Sequence, residues 1–277
     1  MANLTLRPSI ESLELAPDQL QALRDSYGKM QALRGDDNRS WVHQAGLHGF
    51  PQWMCWHHGR IGQGDPLPYN LFLPWHRAYL LYWENFMKDQ NGQAVLPWWD
   101  WTSDTSHNIG VPASFSQPQA DGQPSPLFSG PVPALLSDPP RQTTRFPGSP
   151  AQLPTPDQVE NLLALTSFVD FTAQLEDIHD FIHGWTGGMD PNNPDQGGDM
   201  GNVGTAAYDP IFWSHHCMID RIWYLWQLRQ GVNNIPDDYT DKALAPFGQV
   251  VNDVLDINRL GYEYVASQQV LTTAGPA

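Results

Sequence analysis

The sequence predicts a mainly α fold: a four-helix bundle core with long proline-rich loops and little β structure. Three observations predict it. Apolar residues recur at helical spacing in four long segments, 17–34, 73–88, 168–184 and 210–230. Twelve of the 25 prolines fall within residues 102–156, a density that excludes a long helix or a central strand there. The histidines group on either side of that stretch, five at 43–76 and four at 179–216. A site shared by both groups requires both halves in one domain.

The elements follow in order. Residues 17–34 carry Leu20, Leu23, Tyr27, Met30 and Leu33 on one helical face. Residues 39–47 read as a short helix ending at Gly49, and a Gly/Pro/Asp-rich loop follows at 57–70. LPWHRAYLLYWENFMK, 73–88, reads as a long helix stopped by the Asn91-Gly92 turn. Residues 102–156 read as an extended surface excursion tied down by Phe115, Leu127, Phe128 and Phe146. Helix returns at 157–165 and at 168–184, the latter with Phe168, Phe171, Leu175, Ile178 and Ile182 as its apolar stripe. The last helix, 210–230, has Asp209 as a cap, Pro210 in its first turn and Gly231 as its stop. Bundles of this kind build sites in the core from facing side chains.

Composition narrows the function classes. A net charge of −16 argues against a basic face for nucleic acid and against attraction to anionic membranes. No apolar run approaches the ~18 residues of a membrane span. The start, MANLTLRPSIESLE, lacks a basic n-region and an apolar h-region, so the chain reads as cytoplasmic; leader removal and export by a partner are the other routes. Two cysteines, Cys55 and Cys217, make no disulfide framework, and both lie beside histidines.

The histidine spacings point to metal. His179 and His183 are four apart, so both rings project from one helix face. His215 and His216 are neighbours and point ~100° apart. His216 shares a face with Asp220, a carboxylate able to orient a ligand. His215 shares its face with Ile219, Ile222 and Trp226, which assigns it to packing and hydrogen bonding. The first group offers His48, either His57 or His58, and His76. Three plus three imidazoles with no carboxylate suit Zn, Cu, Fe or Ni. His179-Asp180-x-x-His183 also imitates the zinc-hydrolase pattern H-E-x-x-H, but that reading leaves the first group unexplained.

Two segments carry a family resemblance. FLPWHRAYLLYWE, 72–84, and DPIFWSHHCMID, 209–220, resemble the two copper motifs of the tyrosinase and polyphenol oxidase family. GLHGFP around His48, PWWDW at 97–101 and HDFIHGWTGGM at 179–189 are similar too. RPSI at 7–10 and LGYEY at 260–264 resemble the sequences that bracket its catalytic domain.

The resemblance implies a type 3 centre of two copper ions inside the helical bundle. His48, His57 and His76 would hold one ion, and His179, His183 and His216 the other. CWH at 55–57 fits the family's Cys-x-His thioether, joining Cys55 to His57 and selecting His57 over His58. The interval from His57 to His76, 19 residues, exceeds the family's usual one, and RIGQGDPLPYN would absorb the excess. Asp180 stands where many tyrosinases have Asn. Glu176 resembles the family's water-holding glutamate, and the two carboxylates would position a water that deprotonates an incoming phenol. Gly184, Val203 and Phe212 would line the substrate pocket.

The implied activity is oxidation of o-diphenols to o-quinones with O2, with o-hydroxylation of monophenols as a further capacity. An o-aminophenol oxidase and a haemocyanin-like oxygen carrier use the same kind of site, and spacing does not choose among them. The implied partners are O2, small phenols and a copper-delivery protein. The expected organisation is one catalytic domain over 1–277, with its core at about 7–264. With 13 residues beyond Tyr264, no C-terminal lid domain is expected.

Overall fold

The computed structural model describes residues 4–57 and 70–265; most of the expected loop at 57–70, with His58, lies outside the described residues. The described residues form helices α1 (Ile10–Glu14), α2 (Pro17–Ala32), α3 (Trp41–His48), α4 (Phe72–Gln90), α5 (Asp104–Ile109), α6 (Ala113–Ser116), α7 (Pro156–Leu163), α8 (Phe168–Gly187) and α9 (Ile211–Gln230). Strands are short and pair two by two. No described helix is long and apolar enough to cross a membrane.

Local chemistry sets the helix boundaries. Ser40 and Ser167 cap α3 and α8 by accepting from the backbone of His43 and Asp170. Asn70 Oδ1 accepts from Phe72 N at 2.8 Å at the start of α4, and Asp209 Oδ1 accepts from Ile211 N at 3.2 Å at the start of α9. The expected helices are all present. α8 runs to Gly187 rather than 184, and it stops where Gly188 takes φ 56°. A side chain at Gly188 would collide with the carbonyl of Phe146, so this glycine lets the proline-rich excursion lie against the end of α8.

That excursion is more structured than expected. It contains α5, α6 and two short antiparallel ladders, Gln119–Ala120 with Gln123–Pro124 and Pro131–Val132 with Arg141–Gln142. Phe115 and Leu127 are buried as expected, but Phe128 is exposed and Phe146 only half-buried. Polar contacts do much of the tethering instead. Arg141 clamps Asp199 with two bonds of 2.7 and 2.8 Å, and Phe146 and Gly148 donate backbone bonds to Gly187 and Trp185.

The core lies where α4 packs against α2, α8 and α9. Tyr27, Trp41, Trp83 and Trp213 meet there, the last two stacked at 3.5 Å. The strand Thr5–Arg7 pairs in parallel with Tyr262–Tyr264, so the two sequences expected to bracket the domain do meet. They close over a buried charge network. Arg7 bonds Glu84 at 3.0 Å, and Asp220 receives Arg77 Nε at 2.5 Å and the Tyr262 hydroxyl at 2.7 Å, together with the Tyr264 hydroxyl. Asp220 therefore faces the arginines and tyrosines and is not the orienting partner of His216, contrary to expectation.

Candidate metal centre

The four helices that carry the candidate histidines point them at one another. His48 ends α3, His76 lies one turn into α4, His179 and His183 lie one turn apart on α8, and His216 lies on α9. His57 comes from the non-helical segment after α3, and its side chain is 22% exposed. The nitrogens converge. His48 Nε2 and His57 Nε2 are 3.3 Å apart, and His216 Nε2 lies 3.3 Å from His179 Nε2 and 3.2 Å from His183 Nε2. His76 bridges the groups, with ring centroids 5.5 Å from His48 and 4.5 Å from His216. All six expected histidines thus come together, although ligand-capable atoms also group across the expected division, as His48 with His76 and His216.

The outer nitrogens fix the tautomers. A carbonyl only accepts, so His76 Nδ1 donates to Phe72 O and His183 Nδ1 donates to Met200 O, each at 2.8 Å. Asp180 Oδ1 lies 2.9 Å from His179 Nδ1 and plays the same part. The Nε2 lone pairs of these rings are left facing inward. Burial and neighbouring rings hold the pKa of His48, His76, His179 and His216 well below the usual range, and burial holds His183 down at about 4. The rings are therefore neutral at neutral pH, the form that binds a metal.

This arrangement fits metal ions by its own chemistry. His76 Nε2 is buried with no hydrogen-bond partner, and His216 Nε2 faces two other ring nitrogens yet can donate to only one. Converging lone pairs in a dry core carry a desolvation cost that a cation removes. The outer bonds to Phe72, Met200 and Asp180 are the orienting contacts that metal-bound imidazoles require.

The remaining site residues fall around this centre. Cys55 is buried, and its sulfur groups with the ligand nitrogens of His48 and His57. Glu176, also buried, accepts from Asn70 Nδ2 at 2.9 Å and sets Oε1 3.6 Å from His57 Nδ1. Phe212 is fully buried and wedged between His48 and His216, with centroids at 4.8 and 4.0 Å, so it braces the rings and does not offer a face to solvent. Val203 is exposed, but its carbonyl lies against Gly49 and faces His48 rather than the second group. A side chain at Gly49 would collide there. Beside His183, a side chain on Gly184 would meet nothing within 4 Å.

Sequence reasoning missed three participants. Phe72 packs its ring 4.7 Å from both His76 and His179, and Asn70 joins the α4 cap to Glu176. Phe72, one turn before His76, and Asn70, just ahead of the helix, sit at the start of α4, and that position was the available signal. The third is His215, whose ring stacks on His179 at 5.3 Å and 17° and joins the group with His179, His183 and His216. Helical periodicity placed it on an apolar stripe and gave no sign of this.

Comparison with known proteins gives one consistent answer. Residues 25–229 match the common central domain of tyrosinase. The chain is 28% identical over 248 residues to haemocyanin units G and H of Sepia officinalis, covering 83% of this chain and 39% of that one. It is 27% identical over 293 residues to haemocyanin A-type units of Enteroctopus dofleini, covering 94% of this chain and 22% of that one, so it spans well under half the length of these relatives. Among solved structures, a tyrosinase from Burkholderia thailandensis superposes with TM-score 0.76 at 22% identity, covering 97% of this chain and 76% of that one. An octopus haemocyanin functional unit superposes with TM-score 0.71 at 26% identity, covering 94% and 68%. By the match to its central domain, the chain belongs to the tyrosinase family of type 3 dicopper proteins.

Proposed function

We propose that this chain is a copper-dependent polyphenol oxidase that converts o-diphenols to o-quinones with O2. The observation that carries the reading is the open position at Gly184, beside His183, where an added side chain would meet nothing within 4 Å and where a substrate ring would enter. His48, His57 and His76 would hold one copper ion, and His179, His183 and His216 the other. Bound there, the pair would supply dioxygen binding and the electron acceptor for the substrate. Each diphenol gives up two electrons and two protons, and one O2 leaves as two waters for every two diphenols.

The chain's own residues prepare the site. The Asp180 carboxylate and the carbonyls of Phe72 and Met200 hold the outer N–H groups of His179, His76 and His183, which keeps the inner lone pairs aimed at the ions. Phe72 and Phe212 fill the gaps between rings and exclude water from behind the centre. Glu176, held by Asn70, stands beside His57 and positions a water that accepts the phenolic proton. A thioether between Cys55 and His57 would further limit the motion of a ring that no helix holds.

A carrier is the second reading, because the curated relatives named above are haemocyanins. Side-by-side assays of a phenol, a catechol and an o-aminophenol after copper loading separate the readings. Catechol turnover with quinone formation is the expected result. Reversible oxygenation with no turnover would assign the chain to the carriers, and preference for the o-aminophenol would shift the substrate class.

A further inference from the structure

His215 is buried at 0% exposure, yet neither ring nitrogen closes a hydrogen bond of good geometry; the ring only faces the His179 carbonyl. Leaving a buried polar group this way carries the desolvation cost of that group. An apolar residue would avoid that cost on a helix face that continues with Ile219, Ile222 and Trp226. Its centroid lies 5.3 Å from His179, 5.0 Å from His183 and 5.2 Å from His216. Ligand-capable atoms of all four residues lie within 4.8 Å of one another.

The other three are already at metal-site spacing. A tetrahedral ion with nitrogen bonds of ~2.0 Å has ligand–ligand edges of ~3.3 Å. His216 Nε2 stands 3.3 Å from His179 Nε2 and 3.2 Å from His183 Nε2. Two of the edges are therefore built before any ion arrives, and a small shift of His215 supplies the fourth corner. All four rings sit on α8 and α9, two twenty-residue helices. The first group instead depends on His57, which no helix positions. Four ligands on preformed helices bind an ion at lower ordering cost than three that include a loop residue.

We propose that His215 is a holding ligand: with His179, His183 and His216 it takes the first metal ion to enter, so the second half of the centre fills before the first. Four imidazoles fill the four strong ligand positions of a copper ion, so His215 lets go once the His48, His57 and His76 group is filled and O2 must bind. The proposal rests on the reading of the histidine cluster as a dicopper centre.

The test is titration of metal-free protein with Cu(II), one equivalent at a time, with pulsed electron paramagnetic resonance counting the coordinated imidazoles. The first equivalent in the unaltered chain is expected to show four, which needs no variant. In His215→Gln it is expected to show three and to bind at least about tenfold more weakly, with second-equivalent affinity unchanged. His43→Gln, on α3 outside the cluster, is the control and should match the unaltered chain. Three imidazoles at the first equivalent, or unaltered affinity in His215→Gln, would overturn the holding role and leave the dicopper reading standing. Failure of the unaltered chain to bind copper at all would overturn both.

Discussion

His76 of α4 and His216 of α9 stack at 4.5 Å with their planes 20° apart. That stack joins the two histidine groups into one wall, so loss of either ring disturbs both halves. His216→Ala should lower copper from two per chain toward one and cut diphenol oxidation by more than about a hundredfold, since even the partners of metal ligands are worth ~10–100-fold. Elemental analysis and initial rates on the same sample check it.

Asp180 holds His179 Nδ1 at 2.9 Å with a side chain that is 67% exposed. Asp180→Asn keeps an acceptor and removes a charge, so copper should remain while the ratio of monophenol to diphenol activity changes. An unchanged ratio would remove Asp180 from the proton chemistry. Asp180→Ala removes the acceptor as well and should weaken copper binding by ~10-fold or more, read by competition with a chelator.

Gly184 has open space where a side chain would project. Gly184→Ala should raise stability by about 0.5–1 kcal/mol through the helix interior effect, leaving turnover unchanged. Gly184→Phe should fold equally well and raise KM for catechols by roughly tenfold, about 1.4 kcal/mol of binding. A KM untouched by Phe would place the substrate entrance elsewhere.

Asp220 neutralises Arg77 and stands 3.5 Å from Arg7 in a fully buried network. Asp220→Ala strands the buried Arg77 guanidinium, while Arg7 keeps Glu84, and should cost about 3–5 kcal/mol in denaturant unfolding. Because Asp220 does not touch His216, copper stoichiometry in the folded fraction should stay at two.

Glu11 gives a pH signature away from the centre. Burial raises its pKa from 4.5 to about 7, with Asp100 adding to the rise. The folded state thus prefers the protonated form, so its contribution is complete below pH 4.5 and is lost as pH climbs through 7. Glu11→Gln should match the unaltered chain in unfolding free energy at pH 4.5 and exceed it at pH 8 by about 2 kcal/mol, after allowance for partial exposure.

Much of this was legible in the sequence because periodicity speaks directly about faces. The His179/His183 spacing and the apolar stripe of α8 follow from 3.6 residues per turn, and Gly231 ends α9 as expected, although Pro210 and not Asp209 takes the N-cap position. Asp220 shows where that logic stops. A shared helix face with His216 put them near each other, but the strongest charges for Asp220 arrive from Arg77 on α4 and from strands at the chain's two ends. His215 shows the same limit: its face is apolar beyond the first turn, and only the approach of α8 reveals the four-histidine group. In the proline-rich excursion, prolines forbade long elements but said nothing of the salt bridge from Arg141 to Asp199.

The most direct test of the central claim is quinone formation from a catechol by the copper-loaded chain, with copper per chain counted on that sample. The account predicts two coppers and sustained quinone production that consumes one O2 for every two catechols. Two coppers that bind and release O2 while the catechol stays unoxidised would contradict it.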